Sequence, residues 1–422
     1  MKKNYFLRLM VLLLISSANC AFAQSTFTKQ IIIVNGGAYG DPDDYVTVSS
    51  YDPVTDVTTE FATIYTQSVQ DMIIHGSFAY VAAQDSIVKL NIDTYEKLST
   101  VAAAGVNKLA TDGNVLLASF WYPITENFVR VFSLEDLSFI TNVEGLSGEA
   151  ADFLIYQDGA LVAVPGPYGT TTGNIAFIDL NGYTLLSEDN FGEFYMNVGY
   201  FSLLNDEISV FMKTAYGETT SNSATVDMEG DVLTEVTHEN AYLAGKTAQV
   251  QEKLYAEVNN GIGEFNLVNN ELVNPTIVSP FELTIAASTF DTINSLFYIT
   301  TSDFFSTGVG SIYNLNGELT GSFEAGISAQ AIAIDYRLST VLSNDIVSDN
   351  LNVYPNPSSD FININIPQEE TVQNIVITDI SGRVVSQVES NIKIDISSLN
   401  TGFYFIVIET NSSTLKGRFI KN

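Results

Sequence analysis

The sequence predicts an all-β chain, built as a seven-bladed β-propeller followed by a small Ig-like β-sandwich. Three observations carry this expectation. Residues 24–337 are rich in Val, Ile, Thr, Tyr and Phe, in short runs broken by Gly, Asn and Asp, and no run of helical period reaches a dozen residues. A four-strand unit recurs seven times, at intervals of 39 to 48 residues, which is the period of a propeller blade. Residues 349–422 then form a separate set of short strands with their own turn signals.

The repeat is marked by a small polar residue, an apolar residue and a turn. The seven copies are Ser50-Tyr51-Asp52, Asn91-Ile92-Asp93, Ser133-Leu134-Glu135, Asp179-Leu180-Asn181, Asp227-Met228-Glu229, Asn266-Leu267-Val268 and Asn314-Leu315-Asn316. Asn181-Gly182 and Asn316-Gly317 read as two-residue hairpin turns. Upstream of each marker, two apolar runs meet at a tight polar turn, as in Ile73–Val81 and Phe153–Val162. Each period therefore holds four strands, A to D. The first copy lacks strand A, since Ile31–Val34 already matches strand B, while Ala331–Tyr336 is left over after the last copy. Joining the two closes the ring and removes an open sheet edge. An open solenoid would instead need capping repeats, and the sequence has none.

The ends and the charge set the compartment. Lys2, Lys3 and Arg8 precede an apolar Leu9–Ile15 and an Ala21-Phe22-Ala23 cleavage pattern, so residues 1–23 read as a signal peptide. Cys20 is the only cysteine and lies within that segment. Disulfides, thiolate metal sites and cysteine nucleophiles are thereby excluded from the mature chain. Residues 24–347 carry nine Lys or Arg against 41 Asp or Glu. Such a surface repels nucleic acid and anionic lipid and keeps a secreted protein soluble. Disorder is excluded because 46% of residues are hydrophobic.

The repeat region resembles the seven-bladed propellers of the YVTN/lactonase-like group, a resemblance that implies architecture rather than activity. Residues 338–348 read as a linker, and residues 349–422 hold four elements in order. These are Tyr354-Pro355-Asn356-Pro357, then Asp379 with Gly382, Arg383 and Val385, then Leu399, Gly402 and Tyr404, and a basic last strand from Lys416. Gly382 and Gly402 are expected at turns of positive φ. The series resembles the type A C-terminal sorting domain of the type IX secretion system of Bacteroidetes. That resemblance implies passage across the periplasm and outer membrane, handling by the translocon and a sortase, and attachment to surface lipopolysaccharide or release.

Signals for catalysis are weak. The mature chain has two histidines, His75 in an expected A–B turn and His238, and no nucleophile elbow, His pair or phosphate loop. No cluster of Asp, Asn and Glu for the channel can be assembled from sequence. Asp41, Asp43 and Asp44 are the acidic residues that a Ca²⁺ site could use, and they read better as a solvated loop. No other cofactor is expected. Five long B–C loops each carry aromatics beside small polar residues: Tyr39, Trp121 with Tyr122, Tyr168, Tyr216, and Phe304 with Phe305. B–C loops share one face, so these side chains are expected to ring one mouth of the channel and bind a glycan, another ligand or a protein. The functional expectation is a non-enzymatic binding protein at the cell surface or outside the cell. The alternatives are an extracellular hydrolase or lyase, and an accessory subunit of an outer-membrane nutrient transporter. A convergent set of titratable groups in the channel would discriminate.

Overall fold

The computed structural model describes residues 26–166, 172–213, 219–228, 230–338, 351–365, 371–379, 384–388, 393–410 and 414–422. The expected signal peptide and nearly all of the expected linker lie outside these residues. The chain divides into two compact units, one of them Thr26–Arg337 and the other containing Leu338–Asn422.

Among the described residues, the first unit contains seven four-stranded antiparallel sheets. Six are consecutive in sequence, and their inner A strands are Asp71–His75, Val106–Thr111, Phe153–Tyr156, Val198–Leu204, Leu243–Val250 and Thr284–Asp291. The seventh takes Ala329–Leu338 as strand A beside Thr26–Asn35, Val46–Asp52 and Val57–Ile64. The ring is thus closed by the pairing of the first and last strands, as expected from the missing and left-over runs.

Burial follows position in the blade. Strand B has a neighbouring blade on both faces, so Val115–Phe120 is buried at every residue and reads as an unbroken apolar run. Strand D is the outer edge and is mostly exposed and polar, as in Thr184–Asn190, which blunts edge-to-edge association. The apolar side chains separate into seven interblade cores, one between each successive pair of blades, including the pair that closes the ring.

The recurring polar residue has a physical role at the C–D turn. Oδ1 of Asn91 accepts from the backbone N–H of Asp93 and Thr94 at 2.8 and 3.1 Å. Ser133, Asp179, Asn266 and Asn314 likewise accept from the N–H two residues on, and Asp227 accepts from the Asp231 N–H. The marker of the first blade is misaligned by two residues, because Asp52 rather than Ser50 is the acceptor there, from Val54 and Thr55. These side-chain turns also displace the expected two-residue hairpins. Residues 180–183 and 315–318 form four-residue connections, with positive φ at Tyr183 and Gly317.

Arg337, at the end of the closing strand, fastens the ring. Its guanidinium donates to Ser77 Oγ at 2.8 Å, to Asp335 Oδ2 at 3.0 Å and to Asp93 Oδ1 at 3.0 Å. Lys29 of strand B also binds Asp93. Gln30 Nε2 joins Asp335 and the Ile92 carbonyl at 2.9 and 2.8 Å. Burial alone would raise the Asp93 carboxyl. Hydrogen bonds from Lys29 and Ser77, with the Arg337 charge, outweigh it and hold the group at about 2.

The second unit is a sandwich of a three-stranded and a four-stranded sheet. Ile362, Ile364 and Ile394 of one sheet meet Ile375, Ile377, Ile406, Ile408 and Phe419 of the other in one core. Gly402 opens the strand Gly402–Thr410 and does not have positive φ, contrary to expectation. A Cβ there would meet nothing nearer than the Tyr404 ring, at 3.7 Å. Gly382 and Arg383 lie outside the described residues.

Candidate functional site

In every blade strand A begins at the end of the ring where strand B finishes. The B–C and D–A connections therefore share one face, and residues that open strand A or close strand B sit just inside it. At that end the channel holds a cavity of about 720 Å³. Six charged side chains from five blades line it: Asp71, Lys108, Asp152, Lys213, Lys246 and Glu257. Three of the nine basic residues in the acidic region thus converge on one cavity.

Strand irregularities deliver these groups. A strands pair with B strands through β-bulges at Val106/Leu109, Val198/Tyr200, Leu243/Gly245 and Ile285/Ala287, all at the same end of the ring. Bulges re-aim side chains next to sites. Glycines then open slots in the inner strand. A Cβ at Gly199 would lie 3.2 Å from Cε and 3.3 Å from Cγ of Lys213, so the missing side chain lets Lys213 of strand B reach over strand A. The next blade repeats the device. Gly245 is paired directly with Glu257, and a Cβ there would meet Glu257 Oε2 at 3.5 Å.

The charges are near one another but mostly unpaired. Among the described residues only Lys108 and Asp71 are within ion-pair distance, at 3.4 Å. Asp71 also accepts from the Leu109 backbone N–H at 2.8 Å. Lys246 Nζ donates to the Phe201 carbonyl at 3.3 Å. Ser288 Oγ donates to Glu257 Oε1 at 2.8 Å and lies 2.8 Å from Thr247 Oγ1. No hydrogen bond or ion pair of Lys213 Nζ is found among the described residues. Tyr200 lines the same cavity, stacked on Phe211 at 4.7 Å, and its buried hydroxyl has no hydrogen-bond partner there.

Protein surrounds these groups on all sides, yet they keep accessible surface because they line a hollow. The Lys108 side chain is 41% accessible. The Asp71 charge raises the Lys108 ammonium. Burial lowers Lys213, and the Lys108 charge adds to it; burial also lowers Lys246. Burial raises the Asp152 and Glu257 carboxyls, opposed in Glu257 by the Ser288 hydrogen bond. Lys213, Lys246, Asp152 and Glu257 are thus pushed toward their neutral forms, by an environment that a complementary ligand charge would reverse.

The aromatic loops lie on the same face. Tyr39 and Phe305, from adjacent blades, meet edge to face at 6.0 Å, and the Tyr39 N–H donates to the Phe304 carbonyl at 2.8 Å. Tyr39 and Phe305 are exposed, at 78% and 62%. Trp121 and Tyr122 stand two blades away. Their N–H groups donate to the Gly105 carbonyl at 2.9 Å and to Glu149 Oε1 at 2.9 Å. Tyr168 and Tyr216 lie outside the described residues. In the acidic loop, Asp44 accepts from Ala38 N–H and Asp41 from Asp43 N–H, and no group of three or more His, Cys, Asp or Glu suited to a metal occurs among the described residues.

His75 is exposed at its turn. His238 Nε2 sits 2.7 Å from Ser223 Oγ, an arrangement that invites comparison with a nucleophile and its base. Ser223 is fully buried and donates its hydroxyl to Asn270 Oδ1 at 2.6 Å. The histidine must then donate to the serine, the wrong direction for activating it.

Comparisons agree with this architecture. Residues 352–422 match the family model of the secretion system C-terminal sorting domain. A hypothetical selenium-binding protein of Sulfolobus tokodaii superposes with a TM-score of 0.56 at 11% identity, covering 74% of this chain and 94% of that one. A functionally unknown protein of Desulfotomaculum acetoxidans gives 0.53 at 14% identity, covering 73% and 99%. Hydrazine synthase of Kuenenia stuttgartiensis gives 0.51 at 12% identity, covering 73% and 99%. These likenesses are of fold. A search of curated proteins returns no match. The sorting domain places the chain among the cargo of the type IX secretion machinery, which exports it to the cell surface or the extracellular space.

Proposed function

We propose that this exported propeller takes a small ligand at the loop-bearing end of its channel, as a binding protein or, given the titratable groups that converge there, as the extracellular hydrolase or lyase of the alternative reading. The observation that carries the reading is the delivery of Lys213 and Glu257 into one cavity through glycine-opened slots in two successive blades. Packing alone does not account for it, because burying unpaired charge costs stability. The exposed pair Tyr39 and Phe305 stands on the same face and supports an extension of the site onto the loops for a larger glycan or protein partner. Removal of the sorting domain by a sortase, with anchoring to lipopolysaccharide, belongs to the same reading.

Lysine footprinting tests it. The full chain is acylated with and without the small-molecule fraction of its own culture medium, and modification is read by peptide mass spectrometry. Protection of Lys213 and Lys246, with Lys97 and Lys253 unchanged, supports the channel. Protection spread evenly over all lysines, or none, sinks it.

A further inference from the structure

The channel charges suit a ligand that itself carries both signs, an inference that rests on the channel being the binding site. We propose that the cavity binds a compact zwitterion, an α-amino acid or short peptide with free ends. Its carboxylate would lie against Lys213 and Lys246, and its ammonium against Asp152 and Glu257.

Two observations converge. First, both signs are left without ionic partners. Lys213 Nζ makes no hydrogen bond or ion pair among the described residues, and Lys246 Nζ has the Phe201 carbonyl. Glu257 has the Ser288 hydroxyl, and Asp152 has the Phe153 backbone N–H. Opposite charges that could collapse into pairs are instead held around about 720 Å³ of open space. An anion alone would leave Asp152 and Glu257 unanswered, and a cation alone would leave the lysines unanswered.

Second, the exterior field selects against a bare anion. The region carries nine basic against 41 acidic residues, so its potential repels an anion from the mouth. A zwitterion carries no net charge to repel, and its two ends meet opposite charges only inside, where low-dielectric walls strengthen each contact.

Titration calorimetry on the full chain tests this with three probes: alanyl-alanine, its N-acetyl form and its C-terminal amide. Two variants accompany them. Lys213→Met keeps the apolar stem of the side chain without its charged end. Gly245→Trp plugs the channel at a position where a Cβ meets only the Glu257 carboxylate. Thermal melts confirm that both variants fold. The free dipeptide is expected to bind, and capping either end to weaken it about tenfold or more. Lys213→Met should weaken it by a similar factor, and Gly245→Trp should abolish binding. Equal binding of the N-acetyl form, still lost in Gly245→Trp, overturns the zwitterion and leaves the channel standing. Binding unchanged in Gly245→Trp overturns the channel as well. No heat from any probe at 10-mM concentration, on the order of the weakest specific sites, overturns the inference. The capped probes decide the matter even where a variant fails to fold.

Discussion

Replacing Arg337 with Ala removes a side chain that ties the closing strand directly to the next blade, through Ser77 and Asp93. The guanidinium is 22% exposed and the Asp335 carboxylate it binds is fully buried. Removing one partner of a buried pair costs about 3–5 kcal/mol, because the other charge is left uncompensated. Gln30 still donates to Asp335 at 2.9 Å, and Lys29 still binds Asp93, so the lower end applies, about 3 kcal/mol. At about 2.1 cal/mol/K of unfolding entropy per residue, a propeller of roughly 310 residues loses about 5 °C of Tm. Differential scanning calorimetry of Arg337→Ala measures this. Lys253→Ala is the control, since its pair with Glu264 is at the surface and the lysine is 45% exposed; it should move Tm by less than about 1 °C. Arg337→Lys should not restore stability, because one ammonium cannot span Ser77, Asp335 and Asp93. If Arg337→Ala melts no earlier than the control, the account of ring closure is wrong.

Other expectations follow from the same geometry. Asp93 is held at about 2 when folded, below the ordinary carboxyl value of about 3.9. Its stabilisation is therefore complete above about pH 4 and is lost as pH falls toward 2. With the side chain 35% exposed, screening leaves about 1 kcal/mol, and Asp93→Asn should flatten that part of a pH–stability curve measured by urea melts. Burial lowers the His238 imidazole, so its contribution is present above the ordinary value of about 6.5 and declines as pH falls below it; an NMR titration should place its midpoint below 6.5, and a higher midpoint refutes the buried neutral ring. Gly317→Ala should destabilise by about 2 kcal/mol or more, since Gly317 has φ +74° and a Cβ there would come within 1.9 Å of the Ile277 carbonyl oxygen; an unchanged denaturation midpoint would argue against that turn. Deleting residues 352–422 should leave the propeller in the periplasm, and its appearance in the medium by immunoblot would contradict the export route.

The sequence exposed what repeats and concealed what converges. Ring closure was legible because Ile31–Val34 and Ala331–Tyr336 are complementary fragments of one blade pattern. The polar markers were legible because each performs the same turn chemistry, and the one misplaced copy arose where Ser50 and Asp52 both fit the pattern. The hairpin expectation at Asn181-Gly182 failed because the Asp179 side chain captures the turn N–H groups first. The charged channel was not legible. Its six residues come from five blades, and Lys213 and Glu257 stand on strand B, where a charge at a strand end ordinarily points to solvent. The available signal was indirect: Gly199 and Gly245 each interrupt an inner strand beside a charged strand-B residue. The loop aromatics are exposed where described, but Trp121 and Tyr122 stand apart from the Tyr39–Phe305 pair because the Asp71–Ala102 blade lies between them.

The central claim is that the loop-bearing end of the channel, lined by Lys213, Lys246, Asp152 and Glu257, is the ligand site. Native mass spectrometry of the full chain, dialysed against the small-molecule fraction of its own culture medium, tests it most directly when wild type is compared with Gly245→Trp. The account predicts a small-ligand mass increment on the wild type that the plugged variant lacks. The same spectrum from both proteins would contradict it.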